Sequence, residues 1–138
     1  MNFQEVFRFM GSERLGVLTT ATNSGQPQAA LMGFAVTPEL EIIFDTVRSS
    51  RKYPNLKANP RVAWVVGCTT EVTVQYEGEA EELEGKALAK YKAIYFQKFT
   101  DGPAREHWAG MTYFVVRPKW VRYCDYNPGS RRIEEQQF

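Results

Sequence analysis

Six strand-like runs, most of them separated by little more than a tight turn, constrain this chain more than any other feature. Leu15–Thr20 leads into Thr22-Asn23-Ser24-Gly25-Gln26-Pro27, a cluster of turn formers. Gln28–Val36 follows, and Thr37-Pro38-Glu39 turns the chain into Leu40–Thr46. Arg61–Val66 is the fourth run. Glu71–Glu82 is the fifth, with Val72, Val74 and Tyr76 alternating against Thr73, Gln75 and Glu77. Thr112–Val116 and Trp120–Tyr123 form a last strand or strand pair, interrupted at Pro118. Short strands linked in this way predict a small closed barrel, mainly β with helices.

Three helical patterns complete the frame. Phe3, Val6, Phe7 and Met10 mark a short helix over Asn2–Met10, and Leu88, Tyr91, Ile94 and Tyr95 mark a longer one within Leu83–Phe99. Between the third and fourth strands a brief helix spans Arg51–Ala58, with Pro54 in its first turn and Asn59-Pro60 at its end. The Asn127–Phe138 tail is polar and reads as loose. With 138 residues and no repeat or linker composition, the chain is expected to be one domain, 1–138.

Composition removes several function classes. A net charge of +1 argues against binding nucleic acid by bulk electrostatics. No run reads as a membrane span or a signal peptide, and Cys68 and Cys124 are unclustered, so a soluble cytoplasmic protein is expected. His107 is the single histidine, and no Gly-x-Ser-x-Gly elbow or paired metal-ligand spacing is present. No metal site is expected. Any chemistry then falls to a bound cofactor.

The segment that points to such a cofactor is Phe44-Asp45-Thr46-Val47-Arg48-Ser49-Ser50-Arg51-Lys52-Tyr53. A strand runs into hydroxyls, two adjacent cations and a helix start, a good arrangement for a phosphate. Arg51 supplies a forked donor and Lys52 a point charge. Strand two is rich in small residues: Ala29, Ala30, Gly33 and Ala35. Either something flat approaches its backbone closely, or a helix packs there. Both readings stand at this level.

Taken in order, Gly25-Gln26-Pro27, Phe44-Asp45-Thr46, Ser50-Arg51-Lys52 and Asn59-Pro60-Arg61-Val62, with Gly78 beyond them, resemble the pyridoxamine-phosphate-oxidase-like FMN-binding split barrels. The likeness is strongest over Leu15–Leu83. It implies a six-stranded antiparallel split barrel and a homodimer with FMN in clefts between subunits. It also implies an oxidoreductase acting on a small molecule. By matching positions, Arg51 and Lys52 grip the FMN phosphate, Ser50 and Thr46 donate hydroxyl hydrogen bonds, and Ala30, Leu31 and Met32 present backbone groups to the flavin ring. Asp45 is carried over as a departure, since a carboxylate beside a phosphate is unfavourable unless it turns away or binds Arg48 or Arg51.

The C-terminal third departs further. The vitamin B6 oxidases of the family close their substrate site with an Arg-x-His pair, where this chain has Ser130-Arg131-Arg132-Ile133. Cys124 falls near a family tryptophan, leaving Trp120, Tyr123 and Tyr126 as candidate flavin neighbours. The resemblance is therefore to the short general-stress-protein-type members and not to true pyridoxamine 5′-phosphate oxidases. An alternative cofactor is the deazaflavin F420, because Lys52, Asn55, Leu56, Pro60 and Arg61 also match a run found in F420-binding split barrels. A third reading is a flavin- or haem-binding sensor or stress protein without turnover, with His107 as the only histidine that could act as an axial ligand.

Overall fold

Alternation along each strand sends one set of side chains into a common interior, and pairing the strands curls that interior closed. The computed structural model describes residues 1–138. Its strands are β1 (Leu15–Ala21), β2 (Pro27–Gly33), β3 (Ala35–Val36), β4 (Ile42–Val47), β5 (Arg61–Val66), β6 (Val72–Glu82), β7 (Met111–Asp125) and β8 (Arg132–Gln137). They pair antiparallel in the order β2-β1-β5-β6-β7-β4-β3, with β8 added to β7. The two ends of that order, β2 and β3, are joined through Phe34 alone. Covalent continuity therefore closes the barrel at a place where no hydrogen-bonded ladder joins β2 to β4. Counting β2 and β3 as one bent strand and setting β8 aside gives the six expected strands in a split barrel.

Phe34 is fully buried, its ring 5.6 Å from that of Trp64, so the corner is held by packing inside the barrel. The barrel core also includes Leu18, Ile42, Phe44, Val62, Val66, Tyr76, Phe114 and Val116. Tyr76 is buried there without an unsatisfied hydroxyl, because it donates within 3.0 Å of both the Leu40 and Val116 carbonyls. Helix α1 (Phe3–Ser12) closes one side with Val6 and Met10. Helix α3 (Gly85–Lys98) lies outside the barrel, where Tyr91, Tyr95 and Phe99 cover Ile43, Tyr113 and Val115. Helix α2 (Lys52–Ala58) inserts Leu56 into the barrel core. No helix is long and apolar enough to cross a membrane.

Three expectations change. Strand β7 runs unbroken through Pro118, because the ladder shifts register at Glu77/Gly78 opposite it and no ladder donor is needed there. Gly78 is required at that bulge: a Cβ would lie 2.5 Å from the Arg117 carbonyl oxygen. The third strand begins at Ile42, since Leu40 occupies a turn with φ of 63°. The tail is not loose. Arg132–Gln137 forms β8, held to α1 by the Arg132–Glu5 ion pair at 2.6 Å and by Phe138 against Phe3.

Candidate functional site

Three of the sequence-predicted residues, Ala30, Arg51 and Lys52, meet at a seam along the free edge of β2, and Thr46 and Ser50 adjoin Arg51 through the turn after β4. Thr46 points inward from β4 and is buried, and its hydroxyl donates to Ser50 Oγ at 3.0 Å. Ser50 closes the turn after β4 by donating its amide to the Val47 carbonyl at 2.9 Å. Its hydroxyl accepts from Thr46, so its own proton remains available. Arg51 and Lys52 follow at the start of α2, and the same cavity of about 50 Å³ is lined by both of them and by Leu18, Gln28 and Ala30.

Neither Arg51 nor Lys52 forms an ion pair, although Arg48 and Lys57 on either side are both paired with Glu82. Their backbone amides also have no backbone acceptor. Burial lowers the Lys52 amine below its ordinary pKa, with no carboxylate near enough to offset it. Helix α2 is only seven residues long, so the cations and free amides, more than a helix dipole, make the seam attractive to an anion.

Strand β2 forms one wall. It pairs with β1 only, leaving alternate backbone groups on its other edge free. Ala30 and Met32 turn their side chains inward, while Leu31 points out and is 63% exposed. Small side chains here leave the backbone approachable, which favours the first of the two readings of strand two. Helix packing nevertheless explains Gly33, where a Cβ would lie 3.0 Å from the Phe99 ring.

Asn55 and Gln28 are site residues that the strand and motif reading did not single out as a pair. The buried Asn55 amide donates to Thr20 Oγ1 at 3.0 Å and to Gln28 Oε1 at 2.9 Å. This pins α2 against β1 and β2 and sets the width of the seam. An asparagine at an apolar-facing helix position, one turn after the cations, was the available signal.

Asp45 is elsewhere. It precedes Thr46 on β4 and therefore points to the opposite face, where it accepts from Tyr95 at 3.0 Å and pairs with Arg105 at 3.4 Å. Asp45 thus turns away from the Thr46 face, one of the arrangements under which a carboxylate beside a phosphate site is tolerable, and binds Arg105 in place of Arg48 or Arg51; strand alternation is the reason. His107 and Trp108 are exposed beyond the 3₁₀ turn Gly102–Arg105. Trp120 lies on the outer face of β7 near Arg122, Tyr123 is in the barrel core and Tyr126 is exposed. Arg132 is engaged by Glu5 and Glu134, while Arg131 is exposed. No group of three or more His, Cys, Asp or Glu side chains is placed to hold a metal ion.

A wider cleft of about 340 Å³ opens on the outer face of β1, β5 and β6. Glu77 and Glu79 line it, offsetting Arg61 and Lys119, and Lys119 is already paired with Glu79 at 3.7 Å. It is a poorer anion site than the smaller seam. Above it the same sheet face carries an apolar row, Leu31–Val17–Val65, in register across three strands. Leu31 is 63%, Val65 46% and Val17 37% exposed, so three apolar side chains stand side by side in solvent.

Comparison with known proteins agrees with this fold. The family model described as pyridoxamine 5′-phosphate oxidase matches residues 3–125. No protein of curated function matches the sequence. Among solved structures, the chain is similar to a heme-binding protein from Mycobacterium smegmatis, with a TM-score of 0.82 at 20% identity. That match covers 99% of this chain and 58% of the other, so the chain spans little more than half the length of that relative. General Stress Protein 26 from Bacillus anthracis is similar over 99% of this chain and 98% of its own, with a TM-score of 0.75 at 22% identity. The conserved hypothetical protein Rv2991 from Mycobacterium tuberculosis matches at 28% identity and a TM-score of 0.75, covering 91% and 85% of the two chains.

Proposed function

We propose that this chain, which belongs to the pyridoxamine 5′-phosphate oxidase family, binds FMN at the β2–β4 seam and acts as a flavin-dependent oxidoreductase on a small molecule. The observation that carries this reading is the pair of unpaired cations, Arg51 and Lys52, at a cavity whose other wall is the free edge of β2. An anion satisfies both cations and both free amides at once. Bound FMN would supply hydride transfer. Arg51 and Lys52 hold its phosphate, Ser50 donates its hydroxyl to the same group, Thr46 orients Ser50, and the backbone of Ala30–Met32 meets the ring.

A cavity of about 50 Å³ accommodates a phosphate and no more. A ligand of flavin size needs roughly 300 Å³ or more, so most of the ring must lie outside it. A second copy docked on the Leu31–Val17–Val65 face would enclose that ring, which is why we infer a homodimer with shared clefts. Free Cys68 and Cys124 suit a reducing, cytoplasmic setting. The residues do not favour oxidation of pyridoxamine 5′-phosphate: the C-terminal Ser130-Arg131-Arg132-Ile133 supplies no Arg-x-His pair, Arg132 is committed to Glu5, and in the earlier Arg105-Glu106-His107 run the arginine is committed to Asp45 and Asp101.

A haem-binding role is the second reading, favoured by the description of the Mycobacterium smegmatis relative. The only histidine, His107, stands on an exposed turn outside the seam, so this chain offers no histidine ligand there. F420 remains the alternative flavin-like cofactor. Asn55, one residue of the run that suggested it, already has a structural role between Thr20 and Gln28. The visible spectrum of freshly purified protein tests all of these. An oxidised-flavin spectrum with sedimentation as a dimer is expected. A deazaflavin spectrum, a Soret band or a colourless protein that takes up no added FMN overturns the FMN assignment.

A further inference from the structure

Glu82 ends β6 on the far side of the turn that carries the two free cations. Its side chain is 11% exposed, and three partners converge on it. The Tyr53 hydroxyl lies 3.1 Å from each carboxylate oxygen, Lys57 Nζ lies 3.0 Å from Oε2, and Arg48 Nη2 lies 3.5 Å from Oε1. Arg48 Nε also reaches the Tyr53 hydroxyl at 3.4 Å. These three residues bracket Ser50-Arg51-Lys52 on both sides in sequence. One carboxylate from a strand thus grips the segment before and after its anion-binding residues.

The hub also sorts charge. Four cations lie between residues 48 and 57, and Glu82 engages Arg48 and Lys57 while Arg51 and Lys52 remain at the cavity. Burial pushes the Glu82 carboxyl up, but hydrogen bonds from Lys57 and Tyr53 and the charges of Lys57 and Arg48 outweigh it and hold the carboxyl below the usual range, so it is charged at neutral pH.

We propose that Glu82 is a positioning residue for phosphate recognition: it anchors Arg48, Tyr53 and Lys57 so that Ser50, Arg51 and Lys52 are presented to the ligand in a fixed geometry. The proposal rests on the seam being an anion site, as argued above. It makes an unusual sign prediction. By Coulomb's law alone, removing a carboxylate close to an anion site strengthens anion binding. If Glu82 orders the segment, removing its charge weakens binding instead.

The test is Glu82→Gln, which keeps the side chain's shape and an acceptor for Tyr53 but loses the charge, with Glu82→Asp as the conservative control. Apo-protein is titrated with FMN and with riboflavin, which lacks the phosphate. For Glu82→Gln the expected result is FMN affinity reduced roughly tenfold, riboflavin affinity changed less than about twofold, and partial recovery in Glu82→Asp. Amide hydrogen exchange should quicken over residues 47–58 and nowhere else. FMN affinity that is unchanged or increased, or an equal loss for both flavins, overturns the proposal. Should the wild-type protein bind neither flavin, the FMN reading fails and the positioning role is judged with inorganic phosphate. The Arg51 and Lys52 amide resonances then shift on titration in the wild type and much less in Glu82→Gln. Equal shifts in both proteins refute it.

Discussion

Asp45 and Thr46 are neighbours on one strand, yet they belong to opposite kinds of polar cluster. On the outer face, Asp45 accepts from Tyr95 and pairs with Arg105, which is in turn held by Asp101 at 2.7 Å. The Tyr95 and Arg105 donors there meet carboxylates, leaving only the neighbouring Tyr113 hydroxyl without a partner, and the cluster is covered by α3 and the 3₁₀ turn. On the inner face, Thr46 orients Ser50 beside two cations that have no counter-charge. A cluster that satisfies itself stabilises the fold; one that does not is left competent to bind something else. Charge alone does not separate the two, since each contains arginine. Satisfaction does.

Replacing Arg51 and Lys52 together by alanine is the strongest way to break the contrast. Charge-assisted hydrogen bonds contribute about 1.5–3 kcal/mol each, so FMN affinity should fall at least on the order of a hundredfold. Because neither cation is paired in the free protein, the melting temperature should stay level or rise slightly. Flavin titration and thermal melts of the same preparations check both halves. A large loss of stability would show that the cations belong to the fold after all.

Asp45→Ala asks the mirror question. It leaves Arg105, 20% exposed, without its inner partner and the Tyr95 hydroxyl without its acceptor. Destabilisation of about 2 kcal/mol is expected by chemical denaturation, with FMN affinity within about twofold of wild type. A selective loss of FMN binding would return Asp45 to the cofactor site.

Much of this contrast was visible in the chain. Ser50-Arg51-Lys52 stands out because adjacent cations after a strand are uncommon without a use, and Arg61–Val66 reads as a strand at its observed limits. The parity that parts Asp45 from Thr46 was also there, in the apolar Phe44 one residue before Asp45. Other features depend on tertiary partners. Arg132–Gln137 holds one apolar residue, Ile133, and becomes a strand only because α1 and β7 receive it. Glu82 lies 29 residues from the tyrosine it anchors, and no local pattern announces that meeting.

Tyr95→Phe sharpens the contrast more gently by deleting one hydrogen bond from the satisfied cluster while keeping the ring. The ring stacks on Phe99 at 4.8 Å and meets Tyr113 edge-on at 6.3 Å, so packing survives. A loss of about 1 kcal/mol in stability is expected, with flavin binding unchanged. No loss would mean that Arg105 alone satisfies Asp45.

Lys98 is the apparent exception, a half-buried amine without a carboxylate partner that lies outside the seam. Its ammonium sits 4.4 Å from the Phe34 ring centroid and donates to the Glu13 carbonyl, so rings and a backbone oxygen replace the missing charge. They replace it incompletely. Burial lowers its pKa to about 8, with Arg14 adding to the shift and Glu13 opposing it. Unfolded, the same amine titrates near 10.5, so between about pH 8 and 10.5 the unfolded chain holds a proton that the folded protein has released. Stability therefore rises with pH from about 8 toward 10, and burial of Lys52 adds to the rise. Above about pH 10 the slope reverses, because Tyr113, raised by burial to about 12, keeps its proton in the fold while unfolded tyrosine ionises. Lys98→Met should flatten the rise between pH 8 and 10 without altering FMN affinity, as followed by urea midpoints across that range. A rise that survives in Lys98→Met but disappears in Lys52→Met would place the depressed amine in the seam, making Lys52 the costlier of the two lysines to bury.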